Sequence, residues 1–165
     1  MKILIIHGPS LNLLGTREPA IYGKRSLAEI DAILVAYGRT RDLEVVTCQS
    51  NHEGEIIDRI HSAAAEKCAA IVLNPGAYTH TSMAIADAIR AVATPVVEVH
   101  LSNLFARGPE RAHSVTATAA RGIVSGFGHE SYLIAIDAAA RLALPAPRHQ
   151  RGKNPTRRRA TKKRS

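Results

Sequence analysis

The chain has 165 residues, 45% of them hydrophobic and 22% charged, the size and balance of one soluble domain with its own core. No apolar run approaches the roughly 20 residues of a membrane helix. Cys48 and Cys68 form no CxxC pair, so buried free thiols are expected in place of a disulfide framework. The net charge of +8 belongs to one end: "RHQRGKNPTRRRATKKRS", residues 148–165, holds nine Lys/Arg and no acid, leaving 13 bases and 14 acids in the other 147 residues.

"KILII" (2–6) reads as a first strand; its apolar run stops at Ile6, too soon for a signal peptide, and a cytoplasmic protein is expected. "GTREPAIYGKRS" (15–26) follows, a segment bracketed by Gly15 and Gly23 that carries Arg17 and Tyr22. Ser26 and Glu29 form a capping box that opens a helix through about Tyr37. "EVVTC" (44–48) is a second strand, followed after "QSNHEGE" by a helix over about 55–67. "AAIVL" (69–73) is a third strand, and after "NPGAYTH" a helix runs over about 82–92. "PVVEV" (95–99) and "GIVSG" (122–126) are the fourth and fifth strands, and an Ala-rich helix covers about 130–143. Alternation of this kind predicts right-handed crossovers and an α/β, doubly wound five-stranded parallel sheet flanked by helices. No linker interrupts the body, so residues 1–147 read as a single catalytic α/β domain. Residues 148–165 have no apolar face to pack and read as a disordered, solvated extension in preference to a nucleic-acid contact.

In open α/β sheets ligands bind beyond the carboxyl ends of the strands, where strand order reverses. The turns at that end hold Ser10, Asn12, Arg17 and Tyr22 after strand one, and Asn51, His52 and Glu53 after strand two. Asn74, Tyr78 and His80 follow strand three; Glu98 and His100 end strand four, followed by Ser102, Asn103 and Arg107. Each alone is ordinary turn chemistry; His, Arg and Tyr gathered at one sheet end point to a site. The chain has no GxGxxG and no GxxxxGK[ST], so the usual dinucleotide and triphosphate cradles are missing. A Schiff base is not expected, since Lys24 is the only lysine near this end. No GxSxG elbow occurs. His52 beside Glu53, and His80 with His100, lack ligand spacing, and no metal is expected.

What remains is proton transfer without a cofactor. Glu98 and His100 are two apart on a strand and leave the same face. A carboxylate beside an imidazole orients it as a general acid, or else forms a structural ion pair at the strand end. A tyrosine is a base at neutral pH only if cations lower its pKa. Arg17 could supply that field to Tyr22, with the glycines as hinges of a closing loop.

"GPSLNLLGTREPAIYG", "QSNHEGEIIDRIH", "LNPGAYTHTSMAIADAI", "VVEVHLSN" and "GIVSGFG" together resemble type II 3-dehydroquinate dehydratase, over residues 2–143 and in that family's order. The resemblance implies a flavodoxin-like fold. It implies dehydration of 3-dehydroquinate to 3-dehydroshikimate through an enolate, with no metal, Schiff base or other cofactor, in the shikimate pathway or in quinate breakdown. By position Tyr22 resembles the proton acceptor at C2, Arg17 the transition-state-stabilising loop arginine, and His100 the acid that protonates the departing C1 hydroxyl. Asn74, Leu101 and Ser102 match the contacts to the substrate carboxylate, the last two partly through backbone N–H groups. His80, Asp87 and Arg111 match residues that hold the ring hydroxyls. The family usually assembles as a homododecamer, a tetramer of trimers.

The sequence departs from that pattern in three places. Ser10 stands where the family usually has an Asn that helps to hold a water near the developing enolate. "ARGPERAHS" replaces a more acidic and aromatic stretch, which leaves Arg107 as an alternative to Arg111. The basic tail has no counterpart. Rival readings of the same fold are a nucleotide or flavin module, a phosphoacceptor switch domain, and an inactive paralogue acting through its tail. The first wants a phosphate loop after strand one, and the second wants acids where Ser10 and Asn74 stand.

Overall fold

The computed structural model describes residues 1–16 and 24–144. In chain order the regular elements are β1 (Lys2–His7), α1 (Leu27–Arg39), β2 (Glu44–Gln49), α2 (Glu53–Ser62), β3 (Cys68–Asn74), α3 (Met83–Ala91), β4 (Val96–His100), β5 (Gly122–Ser125) and α4 (Glu130–Ala143). All strand pairs are parallel, in the order β2-β1-β3-β4-β5. The expected five-stranded α/β sheet is present.

Side-chain alternation explains the layers. Ile3 and Ile5 leave one face of β1 and pack with Leu34 of α1 and Ile136 of α4. Leu4 and Ile6 leave the other face and pack with Ile56 and Ile60 of α2 and with Ile85 and Ile89 of α3. Both faces of the central strands are therefore covered, as strands apolar at every position require. Each such side chain, fully buried, contributes about 1.5–3 kcal/mol of transfer free energy.

Local chemistry sets the helix starts. The capping box at α1 is formed in both directions: Ser26 Oγ accepts from the Glu29 N–H at 3.3 Å, and Glu29 Oε2 accepts from the Ser26 N–H at 2.7 Å. Ser82 Oγ accepts the Ile85 N–H at 2.8 Å at the start of α3. The second helix is shorter than the sequence suggests, ending at Ser62 and not near residue 67. Residues 63–67 close as turns, with Lys67 left-handed at φ 59° and the Cys68 N–H donating to Ala63 O at 2.8 Å. "AAAEK" has helical propensity, but the chain must reverse there to enter β3, and that tertiary demand prevails.

One close approach prepares the ligand-binding end. The Gly8 N–H donates to Asn74 O at 2.8 Å, and a Cβ at Gly8 would lie 2.6 Å from the Pro75 carbonyl carbon and oxygen. Only glycine lets the turn after β1 lie against the turn after β3.

Candidate active site

The reversal of strand order falls between β1 and β3, and a cleft of about 130 Å³ opens there, at the carboxyl ends of β1, β3 and β4. The turn after β1 contributes Pro9, Ser10, Leu11 and Leu14; Asn74, Gly76, Ala77 and His80 come from the end of β3 and its turn. The end of β4 and the segment beyond it supply His100, Leu101, Ser102, Leu104, Arg107 and Arg111. A half-apolar wall with convergent imidazoles, an amide, hydroxyls and two guanidinium groups suits a small polyhydroxylated anion.

His100 is 5% exposed and Glu98 is fully buried. The His100 Nε2–H donates to Glu98 Oε1 at 2.8 Å. Glu98 also accepts from Ser114 Oγ at 2.8 Å and from Thr116 Oγ1 at 2.5 Å. A buried carboxylate so supplied with donors is held rigidly. It directs His100 Nε2 inward and leaves Nδ1 as the nitrogen for a ligand in the cleft. Ser114 and Thr116 carry no sequence signal for this role, because turn hydroxyls are common and their partner is 16 and 18 residues away.

His80 is fixed from behind. Its Nδ1–H donates to the His113 carbonyl at 2.7 Å, and His113 Nε2 lies 3.3 Å from His80 O, so Nε2 is the ring nitrogen of His80 left for a ligand. Ser10 has a left-handed backbone, φ 64° and ψ 2°, and its N–H donates to Asn51 Oδ1 at 2.8 Å. Arg107 and Arg111 both line the cleft, Arg111 from a short 3-10 turn started by Pro109.

Of the residues expected to hold substrate or support the site, Glu98 meets the cleft only through His100, and two others do not reach it within the described chain. Asn12 is exposed on the 3-10 turn after β1. Asp87 lies on α3 with its side chain 71% exposed, and accepts from Arg90 Nη1 at 2.9 Å. Arg17 and Tyr22 lie outside the described residues, as does the basic segment 148–165. Among the described residues, no group of three or more His, Cys, Asp or Glu side chains is placed to hold a metal ion. No described helix is long and apolar enough to cross a membrane.

The family model for class II dehydroquinases matches residues 1–140. The chain belongs to the class II dehydroquinase family. It is 50% identical over 138 residues to a 3-dehydroquinate dehydratase of Ralstonia pickettii, an overlap of 84% of this chain and 89% of the relative. It is 56% identical over 134 residues to a 3-dehydroquinate dehydratase of Thermus thermophilus, covering 81% of this chain and 90% of the relative. The fold matches the crystal structure of a type II dehydroquinase from Butyrivibrio crossotus with a TM-score of 0.83 at 44% identity, over 85% of this chain and 97% of the other.

This chain and that dehydroquinase share one fold. The tyrosines separate into roles on physical grounds. The Tyr132 phenol is fully buried, and desolvation pushes its pKa far above the usual value, a shift that the Asn74 hydrogen bond only partly offsets. Tyr37 is raised by desolvation and by the neighbouring Asp137. Tyr78 OH donates to the Asn51 carbonyl at 3.0 Å. Tyr132 and Tyr37 are shifted away from ionisation, and none of the three lines the cleft.

Proposed function

We propose that this cleft eliminates water from 3-dehydroquinate to give 3-dehydroshikimate, as a hydro-lyase of the shikimate pathway or of quinate breakdown. Family membership carries the reaction, and the observation that carries the mechanism is His100 at the cleft with its Nε2–H held by buried Glu98. The proton at C2 is acidified by the adjacent C3 ketone, so a side-chain base suffices to remove it. Tyr22 is the proposed base and Arg17 the cation that lowers its pKa; Tyr22 is the one tyrosine left for this work. The electron pair moves into the ketone as an enolate. Its return forms the C1–C2 double bond and expels the C1 hydroxyl, which takes the Nδ1 proton of a His100 ring protonated on both nitrogens and leaves as water. Glu98 keeps the ring oriented through both steps.

Asn74, Leu101 and Ser102 are proposed to bind the substrate carboxylate, and His80 and Arg111 to hold the ring hydroxyls. Ser10 takes the water-holding role with its hydroxyl. Asp87 faces outward, so it is assigned to a neighbouring copy's cleft within a homododecamer of trimers. Residues 1–147 are taken as the catalytic unit, cytoplasmic, with 148–165 as a solvated extension. No cofactor enters these steps, and among the described residues no lysine lines the cleft to form an imine.

The test is the absorbance of the conjugated enone product formed from 3-dehydroquinate by the purified full chain. EDTA should leave turnover unchanged, and incubation with substrate and borohydride should not inactivate the enzyme. A chain that binds 3-dehydroquinate and forms no enone would contradict the proposal.

A further inference from the structure

Beneath the cleft lies a buried hydrogen-bond chain with no part in the proton transfers above. His7 at the end of β1 and Asn74 at the end of β3 are register partners, and Tyr132 of α4 bridges them. Tyr132 OH is 2.7 Å from His7 Nδ1 and accepts from Asn74 Nδ2 at 3.0 Å, while His7 Nε2 is 3.0 Å from Asp31 Oδ1 on α1. His7 and Tyr132 are fully buried and Asn74 nearly so.

The direction of every proton in this chain follows from its two ends. The Gly76 N–H can only donate, and it lies 3.2 Å from the Asn74 side chain, so the atom it meets is Oδ1. Gly76 is itself fixed, at φ 59°, with a Cβ there falling 3.0 Å from Pro9 O. The other terminal atom of Asn74 is therefore the NH₂ group, and the Tyr132 oxygen accepts from it. The Tyr132 proton is then free to go to His7 Nδ1. At the far end an ionised carboxylate can only accept, so Asp31 takes the His7 Nε2–H and leaves Nδ1 as a lone pair. The two ends agree on one arrangement of the protons.

We propose that Asp31, His7 and Tyr132 are positioning residues that lock the Asn74 amide with its second N–H offered to the cleft. This rests on Asn74 as a carboxylate contact. A flipped amide would present its oxygen to the anion, repelling it, and would set its NH₂ against the Gly76 N–H. Such a lock costs nothing at the moment of binding, because the donor is oriented beforehand. It acts on the substrate and the transition state alike, so its loss raises KM and leaves kcat nearly unchanged.

The experiment compares His7→Leu with His7→Asn. Leucine removes the acceptor for Tyr132, whereas the Asn side-chain oxygen can occupy the place of Nδ1 and keep it. Affinity for quinate, a ring carboxylate that needs no turnover, is read by calorimetry alongside KM and kcat for 3-dehydroquinate. His7→Leu should weaken quinate binding and raise KM by about tenfold, as expected for one mis-set hydrogen bond to a charged group, with kcat within threefold. His7→Asn should stay within threefold of wild type in both. Equal loss in the two variants, or none in either, overturns the proposal. Should His7→Leu fail to fold, Asp31→Ala on the partly exposed face of α1 decides: KM raised several-fold supports the relay, and an unchanged KM overturns it. A wild type that binds quinate but forms no enone would refute the reaction while leaving this comparison valid.

Discussion

The Nε2–H of His100 is held at 2.8 Å by a Glu98 carboxylate that has no exposed surface. Three donors converge on that carboxylate, from His100, Ser114 and Thr116. The imidazole proposed as the acid is therefore positioned by a network that reaches 18 residues along the chain.

Thr116→Val removes one of those donors while keeping the shape of the side chain. The variant should lose about 2 kcal/mol of stability, the worth of a buried hydrogen bond to a charged group. Glu98 regains freedom to shift, so kcat should fall several-fold with KM unchanged. Chemical denaturation and steady-state kinetics measure the two effects; a variant equal to wild type in both would remove Thr116 from the network.

Ser10 has φ 64°, a conformation that asparagine tolerates better than serine and β-branched residues scarcely at all. Ser10→Asn should be neutral or slightly stabilising and should keep or raise kcat. Ser10→Val should cost about 1–3 kcal/mol through backbone strain. The midpoint of thermal unfolding ranks the three proteins, and an order with Val above Ser would contradict the assignment.

Burial raises the pKa of Tyr132 in the folded state. Above pH about 10 the unfolded chain ionises this phenol and the folded one does not. The folded state then holds the extra proton, and stability falls as pH rises, by about 1.4 kcal/mol per unit from this group. Below about pH 10 the contribution is complete. Denaturation between pH 9 and 11 should show a steeper fall in the wild type than in Tyr132→Phe, the difference approaching this slope above pH about 10. Equal slopes in both would place the loss elsewhere.

The fold was legible where apolar runs and caps are local. Ser26 with Glu29 announces α1, and the run around Ile71 announces a strand buried on both faces. The end of α2 was not legible, because "AAAEK" is helical by propensity and is turned by the need to enter β3. In the site, Asn74, His100 and Ser102 are placed at or just past strand ends by the chain pattern itself, Arg111 is matched by the resemblance and sits on a 3-10 turn, and the cleft collects all four. Ser114, Thr116, His7, Asp31 and Tyr132 gave no signal, since each matters through a partner distant in sequence. His7 reads as the end of an apolar strand and Tyr132 as one more residue of a helix's buried face. Arg17 and Tyr22 were singled out from a Gly-bounded loop and lie outside the described residues, so their roles rest on the resemblance and on the elimination of the other tyrosines.

Asp87, exposed and paired with Arg90, is proposed to serve the cleft of a neighbouring copy. Asp87→Ala should raise KM, and His100→Ala should be inactive. Co-assembled, the two variants should regain part of the activity, because some clefts then pair an intact His100 with an intact Asp87 from a neighbour. No gain above the sum of the separate variants would return Asp87 to a purely structural place on α3.

His100 is proposed to expel the C1 hydroxyl from an enolate made by a separate base. Proton NMR of 3-dehydroquinate in D₂O with His100→Ala follows both steps in one sample. The variant should exchange the C2 proton for deuterium while forming 3-dehydroshikimate at least about 10²-fold more slowly than wild type, the lower range for loss of a general acid. Product formation at the wild-type rate would show that the acid is elsewhere and that the Glu98–His100 pair is only structural.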